Sequence, residues 1–421
     1  MAVSAFQAGC FVAMLLATPT LAADLRGHGG PVRAIVVTGG EAATASFDTT
    51  VIRWDIERGA AKQVLRFHEG AVNTLVALPG GGLASAGEDR RIALWAREGA
   101  EPQRLLEGHQ APVAGLALSP DGKTLASASW DGTVRLWDIA NGAVRVIEGH
   151  RGPVNAVVFL PDGRFATAGY DGTVQLHGEG APTIHEFGLP LNALVVAGSE
   201  LVAAGADGAL RFVEPVAGKT SELVVAEVPI VALAASPDGA MIAAAGFRGA
   251  LALVDRKSRS ITRKLAGPAF PLWSLAFSPD GRDILTGGAD RLVRRWSVAT
   301  GEPGNPVLTE APAARLGALA SHPGAEVFRA CVACHTLGPD EGPRAGPTLH
   351  GIMGRPIARA EGYAYSSALK GLGIVWTRET IAKLFEVGPA AYTPGTKMPE
   401  QTISGAAERE ALVDFLDRAT R

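Results

Sequence analysis

The feature that most constrains this chain is a self-similarity with a period of about 40 residues that runs from 24 to 302. The stretch LEGHQAPVAGLALSPDGKTLASASWDGTVRLWDIANG (106–142) is followed by IEGHRGPVNAVVFLPDGRFATAGYDGTVQLHGEG (147–180). Each unit holds a His, an apolar alternation, a Pro-Asp-Gly turn, a second alternation, an Asp-Gly turn and a third alternation that ends in an aromatic residue. Alternation with period two reads as strand, because successive side chains of a strand point to opposite faces. Pro presets the backbone of the turn between strands and Gly supplies its left-handed residue.

The histidines recur at His28, His68, His109 and His150, and the turn aspartates at Asp48, Asp89, Asp131, Asp171, Asp207 and Asp290. Trp54, Trp95, Trp137 and Trp296 end the third alternation, with Trp-Asp itself at 54–55 and 137–138. These residues resemble the WD40 repeat. Seven units begin near 25, 65, 106, 147, 185, 224 and 265, and the resemblance implies an all-β seven-bladed propeller over 24–302. One blade cannot bury both faces alone, whereas a ring of blades buries them mutually. The units at 185 and 224 are degraded: both lack the His, Arg248 stands at the Asp position, and Val213 and Val254 replace Trp. His177 replaces the Trp of the fourth unit. The resemblance implies that the repeated His, Ser or Thr, Asp and Trp form a hydrogen-bonded scaffold, matched best by His109, Ser127, Asp131 and Trp137. Either Ala23–Arg26 or Pro306–Thr309 would close the ring. The charge run 255–259 reads as a solvated loop, with a docking patch as the alternative.

The rhythm stops at a Pro-, Ala- and Gly-rich segment, 303–323, read as a tether. Beyond it, 324–421 reads as a small all-α domain. AEVFRACVACH runs as a short helix into two cysteines, and a last helix beginning near Ser404 carries Leu412, Phe415 and Leu416 on one face. A domain of this size has limited core of its own, and a large cofactor would fill it.

Cysteine usage narrows the chemistry. The chain has three, Cys10, Cys331 and Cys334. Cys331-Val-Ala-Cys334-His335 is a C-x-x-C-H run, as haem attachment requires: two thiols bond the vinyl groups and the adjacent imidazole reaches the iron. A four-cysteine zinc site lacks its second pair, although His335 and His350 would complete one on paper. A dithiol redox motif is expected to enter a long helix, yet HTLGPDEGPRAGP is a Gly- and Pro-rich loop. Met398, 63 residues after His335, offers a thioether as a second axial ligand.

Residues 321–421 resemble a class I cytochrome c of the mitochondrial type in the runs CVACHTLG, GPTLHGIMGR, EGYAYSSALKGLGIVW and YTPGTKMP. The resemblance implies one covalent haem c held by Cys331 and Cys334, with His335 and Met398 as axial ligands. It implies that the Pro347 carbonyl accepts the His335 ring N–H, that Arg355, Tyr365 and Trp376 bind the propionates, and that Thr396 lies on the Met side. Two positions depart from the family: Leu369 stands where Asn is frequent and Phe385 where Tyr is frequent. A drier pocket is expected, and with it a high potential. The tail carries eleven Lys and Arg against eleven Asp and Glu, so strong electrostatic steering is not expected. Arg329, Lys383 and Lys397 are the basic candidates for partner contact.

Residues 1–23 read as a secretory signal, apolar from Phe11 to Ala17 and small near Leu21-Ala22-Ala23. Cys10 falls inside it. The expected location is the periplasm, where haem is attached to this class of protein, with no stable membrane span after cleavage. Net charge is −3 and pI about 6.3, which excludes nucleic acid as the main partner. The expected function is a one-electron carrier between redox donor and acceptor proteins, with the propeller as a docking platform for a protein partner. The alternative is a redox enzyme whose propeller holds a substrate or second cofactor and passes electrons to the haem.

Overall fold

The computed structural model describes residues 24–265, 267–304, 319–329, 331–332, 334–339 and 341–421. The signal-like segment, most of the tether and the alternative closing strand at 306–309 lie outside them. Seven four-stranded antiparallel sheets form the propeller. In the first blade β2 (Val32–Thr38), β3 (Glu41–Ser46), β4 (Thr50–Asp55) and β5 (Ala60–Arg66) pair in chain order, and five further blades repeat this meander. The seventh is closed by β1 (Leu25–Arg26), which pairs with Leu292–Ser297, Leu25 opposite Val293. The N-terminal strand is therefore the outer strand of the last blade.

Adjacent blades are stitched together at one recurring irregularity. Every inner strand breaks register at its second residue, between Val32 and Ala34 in the first blade and between Val72 and Thr74 in the second. A bulge re-aims the displaced side chain, and several of these reach a neighbouring blade. Asn73 donates to the Val113 carbonyl at 3.3 Å, Asn155 to Leu191 at 2.8 Å and Asn192 to Ile230 at 3.0 Å. Arg33 donates to Trp273 at 3.1 Å across the closure between blades one and seven.

The repeated polar residues tie strands within a blade. His109 bonds Asp131 at 2.8 Å through Nδ1 and Ser127 at 2.7 Å through Nε2, and Trp137 donates to the same Ser127 hydroxyl at 2.8 Å. The same arrangement joins His28, Asp48, Thr44 and Trp54, and His68, Asp89, Ser85 and Trp95. In the fourth blade His177 stands in for Trp, within 3.3 Å of Thr167 and stacked on Phe165 at 4.5 Å. Such buried polar groups are stabilising only when fully paired. The charge run at 255–259 is neither a free loop nor a free patch: Arg256 and Arg259 both pair with Glu200 of the neighbouring blade.

The helical domain contains α1 (Pro323–Phe328), α2 (Ser367–Lys370), α3 (Arg378–Val387), α4 (Pro389–Tyr392) and α5 (Ala406–Ala419). Helix α5 starts after Gly405, and Ser404 does not cap it. Its Leu412, Val413, Phe415 and Leu416 are buried, with Phe415 against Phe328 of α1 at 5.3 Å. A Cβ at Gly324 would fall 2.0 Å from the Ala411 carbonyl oxygen, so glycine is what lets α1 and α5 cross this closely. Helix α3 was not expected. A capping box between Thr377 and Thr380 starts it, and it buries Ile381, Leu384 and Phe385.

Candidate functional site

The C-x-x-C-H residues occupy the turns that follow α1. The amide of Cys331 donates to the Phe328 carbonyl at 2.8 Å, and those of Cys334 and His335 donate back to Cys331 at 3.1 and 3.0 Å. Both thiols are unlinked. Burial pushes them up, Cys331 to about 12 and Cys334 to about 11. A redox dithiol needs the opposite, a thiolate stabilised near neutral pH. No three His, Cys, Asp or Glu side chains converge to hold a metal ion among the described residues.

One ring nitrogen of His335 is pinned. Nδ1 lies 2.8 Å from the Pro347 carbonyl oxygen, which can only accept, so Nδ1 carries the proton. Nε2 keeps its lone pair, with no hydrogen bond to it among the described residues. Burial lowers the ring's pKa, opposed by the Pro347 bond, and favours the neutral imidazole that ligation requires. The approach is tight: a Cβ at Gly346 would lie 2.6 Å from His335 Cε1. Arg344, buried, donates to the carbonyls of Val332 and His335 and pairs with Glu341 at 3.2 Å, clamping the loop around the cysteines.

The other candidates lie around the same core. Met398 and Trp376 pack against the cluster that holds Cys331, Leu349, Ile352, Ile381 and Phe385. The Thr396 hydroxyl accepts from the Met398 amide at 3.1 Å, fixing the strap that carries the thioether. Arg355 donates to the carbonyls of His350 and Thr348 at 2.9 and 2.7 Å, and its own carbonyl accepts from the Trp376 amide at 3.0 Å. Tyr365 lies 4.6 Å from Tyr363 ring to ring, with the positive field of Arg355 nearby. The buried Nδ1 of His350 has no hydrogen-bond partner among the described residues. A group with its own acceptors and a metal that takes nitrogen and sulfur fits this donor set.

The WD domain, G-beta repeat family matches residues 100–138, 142–177 and 259–297, each range running from the outer strand of one blade through the first three strands of the next. The cytochrome c family matches residues 321–420. Cytochrome c of Stellaria longipes is 40% identical over 99 residues, 23% of this chain and 91% of that protein. The chain belongs to the cytochrome c family. Cytochrome c type-1 of Ascaris suum is 40% identical over 95 residues, 22% of this chain and 83% of the relative. Cytochrome c2 of Blastochloris viridis is 38% identical over 93 residues, 22% of this chain and 70% of the relative. As a cytochrome c, the protein binds haem c covalently and transfers electrons through its iron.

This cytochrome c also contains contributors that the motifs did not flag. Arg344 and Gly346 shape the attachment loop, and Tyr363 donates to the Ala345 carbonyl at 2.9 Å. Their signal was weak, a lone Arg and a Gly inside a stretch already rich in Gly and Pro. In the propeller, a cleft of about 450 Å³ opens beside the sixth blade. It falls where that blade has Ala226 and Arg248 in place of the paired His and Asp, and its lining is mainly apolar, with Glu227, Arg248 and Lys264.

Proposed function

We propose that this protein is a periplasmic one-electron carrier in which Cys331 and Cys334 hold the haem, His335 and Met398 ligate its iron, and the propeller is a docking platform for protein partners. The haem supplies a ferric–ferrous couple; the chain's residues fix its ligands and exclude water. Pro347 orients the His335 ring and raises its basicity. Arg355, Tyr365 and Trp376 receive the propionates, and Thr396 holds the Met398 strap. The observation that carries this reading is the pinned His335 imidazole directly after two unlinked thiols, with Cys331 and Met398 meeting in one core.

Placement outside the cytoplasm rests on the signal-like residues 1–23. Cleavage near residue 22 or 23 would leave β1 at the mature N-terminus. No described helix is long and apolar enough to cross a membrane.

The test is expression of the full chain in a bacterium with haem-attachment machinery, followed by fractionation. A covalent haem chromophore in the periplasmic fraction, reversibly reducible by one electron, is expected. Met398→Leu should abolish the sulfur-to-iron charge-transfer band of the ferric protein while the haem stays covalently bound. Retention of that band in the variant would remove Met398 as ligand.

A further inference from the structure

The helical domain is seated on the propeller by the face that carries its cysteines. The Ala345 amide donates to the Gly27 carbonyl at 3.0 Å. Arg66, at the end of β5, donates to the carbonyls of Arg344 and Ala345 and lies 4.2 Å over the Tyr363 ring. Lys397 donates to the His68 carbonyl at the entry to the second blade.

The sequence of the blades is adapted to this contact. A Cβ at Gly29 would lie 2.3 Å from Cys334 Sγ. The residue that follows the blade histidine is Glu69, Gln110 and Arg151 in the next three blades, and Gly29 only in the first. The left-handed residue of the later turn shows the same pattern. Gly132, Gly172, Gly208 and Gly249 occupy it in blades three to six, whereas blades seven, one and two place Arg291, Thr49 and Arg90 there, at φ of 68°, 72° and 67°. A side chain in that region is strained, and the three blades that accept it are consecutive around the ring and carry all the contacts named above. Of the basic residues expected to meet partners, Lys397 is taken up by the propeller, while Lys383 pairs with Glu386 and Arg329 with Glu326.

We propose that blades seven, one and two are a seat built for this chain's own haem domain, and that the seated propeller covers the Cys334 side of the haem against other redox proteins. Gly29 admits the attachment loop, and Arg66 and Lys397 latch it. Opening the seat releases Lys397 and uncovers the attachment face, so docked and open populations set how fast a protein partner exchanges an electron.

The experiment compares the full haem-loaded chain with Gly29→Gln, which places in the first blade the residue type that the third blade carries as Gln110. Arg151→Gln, away from the seat, is the control. Carbodiimide should cross-link Lys397 to Glu69, the residue next to its acceptor His68, in the parent and the control. The cross-link should be lost in Gly29→Gln, and X-ray scattering in solution should show a larger radius of gyration. Reduction of an oxidised blue-copper protein by the reduced chain should accelerate on the order of 10-fold, the change expected when a minor open state of roughly one part in ten becomes dominant. Arg66→Ala should move all three readouts in the same direction. An unchanged cross-link and scattering curve in Gly29→Gln would overturn the seat, and an unchanged exchange rate in an opened variant would overturn the cover. The proposal rests on the electron-carrier reading only for the copper assay. Loss of reversible haem reduction in parent and variants alike would count against that reading and leave cross-link and scattering as the test of the seat.

Discussion

At the scale of single residues, the pocket combines side chains that hold a ligand with others that only exclude water. Phe385 belongs to the second kind. It is buried beside Ile381 and Leu384 in the core that also receives Met398, and it offers no hydrogen bond where the family often has a tyrosine. Leu369, the other departure, is only half-buried at the end of α2. An apolar surround disfavours the more highly charged ferric state, because burial penalises charge. Phe385→Tyr restores a hydroxyl dipole at this position and is expected to shift the midpoint potential to a more negative value in an equilibrium redox titration. A shift to a more positive value would show that dryness at this position does not set the potential. That the Pro347 carbonyl orients His335 was implied by the family resemblance, and the structure has the bond at 2.8 Å. The clamp by Arg344 was not, because its acceptors are backbone carbonyls at Val332 and His335 and carry no residue identity to read.

At the scale of elements, the blades show how far local chemistry goes and where pairing takes over. Six meanders follow from turn residues and alternation, including the two degraded repeats, because ladder formation needs the apolar rhythm and not the His–Asp pair. Helix α3 was equally available in the sequence, as Ile381, Leu384 and Phe385 have helical spacing, but its cap uses Thr380 where a Glu or Gln is the usual signal. The fourth blade is different, because its substitution makes sense only in register. His177 faces Phe165, whereas Trp137 faces Leu125 and Trp95 faces Leu83. A large ring opposite the smaller His compensates volume, and one sequence read in line does not reveal that compensation. The exchange also makes the blade pH-sensitive. Burial, with the nearby charges of His150 and Arg145, lowers the His177 pKa to about 4 from 6.5. The unfolded chain therefore binds the proton more readily, and stability falls as pH drops from 6.5 toward 4 and levels off below that. The double variant Phe165→Leu/His177→Trp should remove on the order of 2 kcal/mol of this pH dependence. Urea unfolding of the propeller at several pH values across that window checks it, and an unaltered slope of stability against pH would exclude His177 as the source.

At the scale of the whole molecule, the ring is closed by its weakest-looking strand. Two residues, Leu25 and Arg26, pair with Val293 and Leu292. A strand so short shows no alternation, which is why the sequence left two candidates for the closure open. The orientation of the haem domain was illegible for a related reason: it depends on surfaces brought together from residues hundreds of positions apart, with Gly29 as a local trace. Closure and seating are physically linked, since Gly27, two residues beyond Leu25, gives its carbonyl to Ala345. Leu25 is 4% exposed and packs with Trp54, Leu285 and Val293, bridging the first and seventh blades. Leu25→Asp forfeits that burial and forces a carboxylate against apolar neighbours, a loss of about 3 kcal/mol. In a domain this large that corresponds to a fall of roughly 5–10 °C in the propeller's unfolding temperature, followed by far-ultraviolet circular dichroism. The Lys397–Glu69 cross-link should weaken in the same variant, because the Gly27 carbonyl loses its anchor. If the unfolding temperature fell and the cross-link persisted, the seat would be held by Arg66 and Lys397 without help from the closing strand. If neither changed, the ring would not be locked by β1.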